Sequence, residues 1–424
     1  MRLDVRAGRG RLGTLAVVLA LIACDGATEP LGPDPDDELR TRFDLRALGP
    51  TPYAVGDRPS AARVALGRVL FFDPILSGEK DVACATCHHP SFGFADGRSF
   101  SVGAGGVGLG PDRRPTGSRL TGLPIGLVPR NSPTVLNAAF NADETGAPSD
   151  RGLQFWDGRT VGLEEQAREP IMSRIEMAGD AYSPEVARDS VVARLRAIPA
   201  YVRLFRAAFP GEKSAADDAA IVSMDTYGRA IAAYERELVT RETAFDAYAR
   251  GDDGALDDQQ KQGLELFFTT ARCATCHSGP MFSDYRFHVL GVPQTGDGKD
   301  VISGDDTGRE EHTLAPADRY AFRTPTMRNV ELTAPYMHDG VFATLEEVVR
   351  FYNDGARPRH PAVADEAVAS DVREPLGLTE GEMAALVAFL RGLTDAGMAL
   401  EPDLLVVPPS VPSGLTPVFG VGEP

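Results

Sequence analysis

Two short stretches decide the architecture: Cys84-Ala85-Thr86-Cys87-His88 and Cys273-Ala274-Thr275-Cys276-His277. In each, two thiols three positions apart can reach both vinyl groups on one edge of a porphyrin. The adjoining histidine then lies beneath the iron as its axial ligand. The same four thiolates could instead hold zinc, or each pair could act as a thiol redox centre. Neither alternative accounts for a histidine directly after both pairs. The motifs predict two covalently attached c-type haems, far enough apart in a 424-residue chain for two haem domains.

Working outward, each motif follows a helix-like run: Ala61 to Phe72 (AARVALGRVLFF) and Gln259 to Phe268 (QQKQGLELFF). Further helices are predicted over Pro184 to Ala197, Ala216 to Thr240, Leu345 to Tyr352 and Thr379 to Leu393. The last opens with a capping box, Thr379-Glu380-Gly381-Glu382. Alternating β patterns are scarce, and Val102 to Val128 reads as a long loop. The fold class is mainly α with long irregular loops. His89, beside His88, reads as a surface or hydrogen-bonding residue rather than a ligand.

The fifth cysteine, Cys24, belongs to a targeting segment. Arg2, Arg6, Arg9 and Arg11 precede a short apolar run, Leu15 to Ala23, which is too short to span a bilayer. Leu21-Ile22-Ala23-Cys24 resembles a bacterial lipobox; an ordinary secretory signal is the alternative. Residues 1–23 are therefore expected to be a lipoprotein signal peptide and 24–54 a disordered, acidic, Pro-rich tether. Residues 401–424 read as an extended or disordered Pro-rich tail. The expected location is the periplasm, with a lipid at Cys24 as the only membrane contact. A net charge of -18 argues against nucleic acid as a partner, because a phosphate-binding surface needs a basic excess. That charge suits a solvated surface, or attraction to a basic electron-transfer partner.

Three strings beyond the motifs resemble the bacterial di-haem cytochrome c peroxidase family, which includes the MauG enzymes. They are RNSPTVLN (Arg130 to Asn137), QFWDGR (Gln154 to Arg159) and RTPTMRNVELTAPYMHDG (Arg323 to Gly340). The resemblance implies two cytochrome c-like haem domains: an N-terminal peroxidatic one, 55–255, and a C-terminal electron-transfer one, 256–400. It implies that Trp156 relays electrons between the haems. It also matches Gln166, Pro170 and Glu176 to the distal pocket of the first haem. Peroxide cleavage needs a base to take a proton from one oxygen and an acid to return it to the other, and one carboxylate can do both. Glu176 is that candidate, with Gln166 as the hydrogen-bond donor. A calcium ion is implied at Asn131 and at backbone oxygens of Thr333 and Pro335.

Two positions bear on the subtype. Where family members that need reductive activation carry a capping histidine, this chain has about Ala104, and no histidine occurs between His89 and His277. Fourteen residues after His338, where typical peroxidases of the family have methionine, stands Tyr352, as in MauG. A phenolate lowers the potential of the second haem, whereas methionine raises it. Should Tyr352 only pack, His338 or Met337 is the alternative ligand. With Trp156 the only tryptophan, tyrosines such as Tyr285 would have to serve as exit points for holes. The loop 103–130 exceeds the short peroxidase pattern and could shape a substrate or partner surface.

The expected function is reduction of hydrogen peroxide, with electrons from an unspecified protein or small-molecule donor. A pure electron-transfer cytochrome and a peroxide or redox sensor are the alternatives.

Overall fold

The computed structural model describes residues 34–53, 58–143, 147, 149–212, 218–395, 397 and 402–417. The signal segment and Cys24 lie outside them. Among the described residues are nine helices of six residues or more: α1 Pro35–Arg42, α2 Ala61–Phe71, α3 Pro184–Arg196, α4 Pro199–Ala208, α5 Met224–Glu237, α6 Ala244–Ala249, α7 Asp258–Phe268, α8 Leu345–Asn353 and α9 Glu380–Arg391. Strand structure among the described residues amounts to three small antiparallel ladders. They join 106–107 to 114–115, 153–154 to 160–161, and 287–289 to 321–323.

Each half is built on the same helix pair. In the first, α2 crosses α5 so closely that a Cβ on Gly67 would lie 1.9 Å from the Ala230 carbonyl oxygen. In the second, α7 crosses α9, and a Cβ on Gly263 would lie 1.9 Å from the Ala385 oxygen. Four residues after each glycine comes a buried phenylalanine. Phe71 meets Tyr234 with ring centroids 5.2 Å apart, and Phe267 meets Phe389 at 5.3 Å. Gly-x-x-x-Phe-Phe, at 67–72 and at 263–268, is thus a repeated unit that carries the chain toward each CxxCH motif. Leu66, Phe71, Tyr201, Phe205 and Tyr227 belong to the first core, and Leu264, Phe267, Leu345, Leu386 and Phe389 to the second.

Several expectations change. The helix predicted from Ala216 begins at Met224, because Ser223 caps it, its Oγ accepting the Thr226 amide at 3.2 Å. The helices α4 and α6 were not predicted. The first presents Tyr201, Phe205 and Ala208 to the core behind a proline at its start. The tether expected over 24–54 is ordered from 34 to 53 and packs on the second half. There Phe43 stacks on Phe268 (4.9 Å), Leu45 is buried, and the Lys261 ammonium meets Asp36 at 2.9 Å. The described tail, 402–417, is docked on the first half. Tyr234 donates to the Leu404 carbonyl (2.7 Å), Arg68 to that of Val406 (2.6 Å), and Ser413 to Asp73 (2.7 Å). Spaced apolar side chains (Leu404, Leu405, Val407, Leu415) give the tail a reason to bind.

Candidate active site

One continuous cavity reaches both motifs, lined by Cys84, Cys87 and His88 at one end and Cys273, Cys276 and His277 at the other. Cys84–Cys87 forms a single helical turn held by Thr86, whose Oγ1 accepts the Ala83 amide at 3.0 Å. Cys273–Thr275 forms a 3-10 turn. The two histidines are fixed in the same way. His88 Nδ1 lies 3.2 Å from the Phe94 carbonyl oxygen, and His277 Nδ1 lies 2.9 Å from that of Phe282. Both phenylalanines adopt a left-handed backbone, φ 58° and 51°, which turns the carbonyl inward. A carbonyl can only accept, so Nδ1 carries the proton and Nε2 keeps its lone pair for a metal. Burial lowers the pKa of both rings, that of His277 to about 4, which keeps them neutral as a ligand must be. All four motif cysteines are free thiols. This donor set fits haem attached through both thiols and ligated by Nε2.

The remaining expected residues converge on the same cavity. Gln166 ends the turn Leu163–Gln166, Pro170 opens the 3-10 turn Pro170–Met172, and Glu176 sits in the π-turn Arg174–Ala178. All three line the wall. Burial raises the Glu176 pKa, against the opposing effects of the Ser173 hydroxyl and the Arg159 charge. Ala104 is buried against that turn, its amide donating to the Glu176 carbonyl at 3.0 Å. The 103–105 segment therefore braces Glu176 at the place that corresponds to the capping histidine of other family members.

Trp156 stands where the two halves meet. Its Nε1 donates to the Asn131 carbonyl at 2.9 Å, and its own carbonyl accepts the Arg323 amide at 2.8 Å. The Asn131 amide in turn donates to the His338 carbonyl at 2.7 Å. The Asn131 side chain faces two carbonyl oxygens, Arg98 at 2.8 Å and Pro335 at 3.3 Å. Thr333 lies on the cavity wall.

At the second motif, Tyr352 lies on the wall beside the thiols. Burial raises its pKa, and the neighbouring Cys273 and Cys276 push it further. Met337 and His338 also line the cavity, but His338 stacks on Phe322 at 3.9 Å, and its charged neighbours are Asp306, Arg130, Lys299 and His360.

His89 is the hydrogen-bonding residue expected, buried rather than at the surface, its Nδ1 accepting the Ser91 amide at 3.1 Å. One expectation fails. Tyr285 is 5% exposed with a sealed, unpartnered hydroxyl, so it offers no surface exit for a hole. Sequence reading also missed Ser132, 3.3 Å from His88 Nδ1 and donating to the Cys87 carbonyl, although it lies inside a quoted string. It missed Glu235, an acidic residue on a predicted helix that turns out to face the cavity.

The description "di-haem cytochrome c peroxidase" matches residues 61–254. The methylamine utilization protein MauG of Methylorubrum extorquens is 36% identical over 397 residues, covering 92% of this chain and 93% of that protein. The chain belongs to the di-haem cytochrome c peroxidase family. A second relative of this di-haem peroxidase is the cytochrome c551 peroxidase of Pseudomonas aeruginosa. It is 36% identical over 340 residues, covering 80% of this chain and 81% of its own. A solved MauG-like protein associated with microbial copper homeostasis superimposes with a TM-score of 0.68 at 30% identity, covering 85% of this chain and 97% of its own. Membership of this peroxidase family brings two c-type haems, hydrogen peroxide as substrate and an electron donor. Among the described residues no helix is long and apolar enough to cross a membrane.

Proposed function

We propose that this di-haem peroxidase reduces hydrogen peroxide at the haem of the first motif and passes the oxidising equivalents through Trp156 to the haem of the second. The haem iron, once bound, supplies the redox chemistry that parts the two oxygens. The chain's own residues do the rest. Glu176 takes the proton from one peroxide oxygen and returns it to the other, and the Gln166 amide donates a hydrogen bond that orients the substrate. Pro170 lines the same wall. The Trp156 indole, anchored to Asn131, is the aromatic bridge between the two ends of the cavity. Tyr352 would ligate the second haem, once bound, and hold its potential low.

The observation that carries this reading is the placement of Gln166, Pro170 and Glu176 on one wall of the cavity, with a braced alanine at 104 in place of a capping side chain. Ala104 would leave the first haem, once bound, uncapped from that segment. A calcium ion at Asn131, Thr333 and Pro335 fits the convergence of carbonyls on the Asn131 side chain, once its amide is turned to present oxygen. The signal sequence argues for a periplasmic enzyme lipidated at Cys24.

The test is the optical spectrum of the fully ferric holoprotein before and after peroxide, with no reductant. A rapid spectral change is the expected result. A response only after one haem is reduced would reveal a cap on the first haem, and no response in either state would leave an electron-transfer cytochrome.

A further inference from the structure

Helix α5 places Tyr227, Ile231 and Glu235 one turn apart. Ile231 and Glu235 line the cavity beside the first motif, and the Tyr227 hydroxyl donates to the Ala167 carbonyl at 3.3 Å. The opposite stripe, Ala230 and Tyr234, packs on α2. Glu235 is 3% exposed, and its Oε2 is sealed without a hydrogen-bond partner. Burying an unpaired carboxyl costs free energy that leucine at the same place would avoid. Its neighbour Arg236 is committed to Glu164, at 2.5 Å. The peroxide chemistry assigned to Glu176 makes no use of Glu235.

The groups facing Glu235 can be named from each packed element. The helical turn 84–87 presents Cys84, the turn 163–166 presents Glu164, and α5 itself presents Tyr227, Tyr234 and Arg236. From α2, the Arg68 charge acts on Tyr234 rather than on Glu235. Burial outweighs the pull of Arg236, and with Glu164 it lifts the Glu235 pKa to about 8. The group can therefore change charge near neutral pH. A cofactor joined to Cys84 brings a net charge that changes by one on reduction, right beside it.

We propose that Glu235 is the proton acceptor coupled to reduction of the first haem. When one electron arrives from the donor, the ionised carboxylate takes one proton from solvent and becomes the neutral acid; when the electron leaves, the proton leaves with it. Charge in the enclosed first half is thereby kept constant. This rests on a haem at the first motif and does not require peroxide turnover.

The test is an equilibrium redox titration of the holoprotein, followed at the first haem on either side of pH 8. In the native chain the reduction equilibrium should fall close to tenfold per pH unit, about 59 mV. In Glu235→Gln that dependence should vanish while it persists in Glu176→Gln. An equal slope in Glu235→Gln and the native chain overturns the proposal, as does a slope lost only in Glu176→Gln. Should Glu235→Gln fail to take up haem, reduced-minus-oxidised infrared difference spectra of Glu176→Gln decide. A carboxylic acid carbonyl band gained on reduction supports the proposal, and its absence overturns it. A protein with the predicted slope that ignores peroxide would refute the peroxidatic reading and leave this one standing.

Discussion

Glu176 must be ionised to accept a proton, and burial makes ionisation harder. Its pKa lies above the ordinary 4.5, so the proton-accepting form is lost as pH falls through that raised value. The rate of reaction with peroxide should accordingly drop on the acid side. Glu176→Gln should lower the rate by about 10²–10⁴-fold and abolish the acid limb while leaving haem content intact. Stopped-flow rates across pH check both, and an unchanged rate would remove Glu176 from the chemistry. At the other end, Tyr352→Met should raise the potential of the second haem, because thioether replaces an oxygen donor that favours ferric iron. A potential that does not move would show that Tyr352 only packs. Residues such as these were legible in unequal degree. Cys84, Cys87 and His88 announce themselves because covalent attachment demands local spacing. Glu176 and Tyr352 needed the family resemblance, since their partners are distant in sequence. Glu235 stayed hidden because nothing in a lone helical glutamate says which way it faces.

The helix pairs obey a rule that can be broken one glycine at a time. At Gly67 and Gly263 the intruding atom would meet backbone, not the flexible end of a side chain, so neighbours cannot yield without separating the helices. Gly67→Ala should destabilise the first half, and Gly263→Ala the second, each by about 1–3 kcal/mol. Chemical denaturation of the holoprotein, with each haem's spectrum as a local reporter, would show which half loosens. A midpoint equal to that of the native chain would mean the crossing is looser than described. The repeat was present in the sequence as GRVLFF and GLELFF, yet its meaning depends on Ala230 and Ala385, far along the chain. The segment 34–53 was misjudged for a related reason. Acidic and proline-rich composition argues for disorder, but Phe43, Leu45 and Leu48 are spaced apolar anchors that composition averages away.

Across the whole molecule, Arg130 is the rivet between the halves. Its guanidinium holds Asp157 at 2.5 Å from the first half, and Asp306 at 2.6 Å and Glu311 at 3.0 Å from the second, over the ring of Phe322. Burial works against the charge of Asp157 and of Asp306, but Arg130 outweighs it and lowers both from the ordinary 3.8. Depressed carboxylates contribute stability that is present above their unfolded pKa and is lost as pH falls through the folded values. The native protein should therefore loosen only in strong acid, below pH 3.8. Arg130→Met strands Asp306 and leaves Asp157 with Arg159 alone, at 3.0 Å, and should cost about 3–5 kcal/mol. For Asp306 it should also invert the trend, so that stability falls as pH rises through the carboxylate range. Melting curves against pH would show the inversion, and a parallel curve would demote Arg130 to a surface contact.

The two ends of the described chain are crossed: helix α1 lies on the second half, and the 402–417 strap lies on the first. Asp36 waits for Lys261, 225 residues later, and Arg68 waits for Val406, 338 residues later. During synthesis neither half can finish its surface alone, and the strap over α2 and α5 closes after both CxxCH motifs exist.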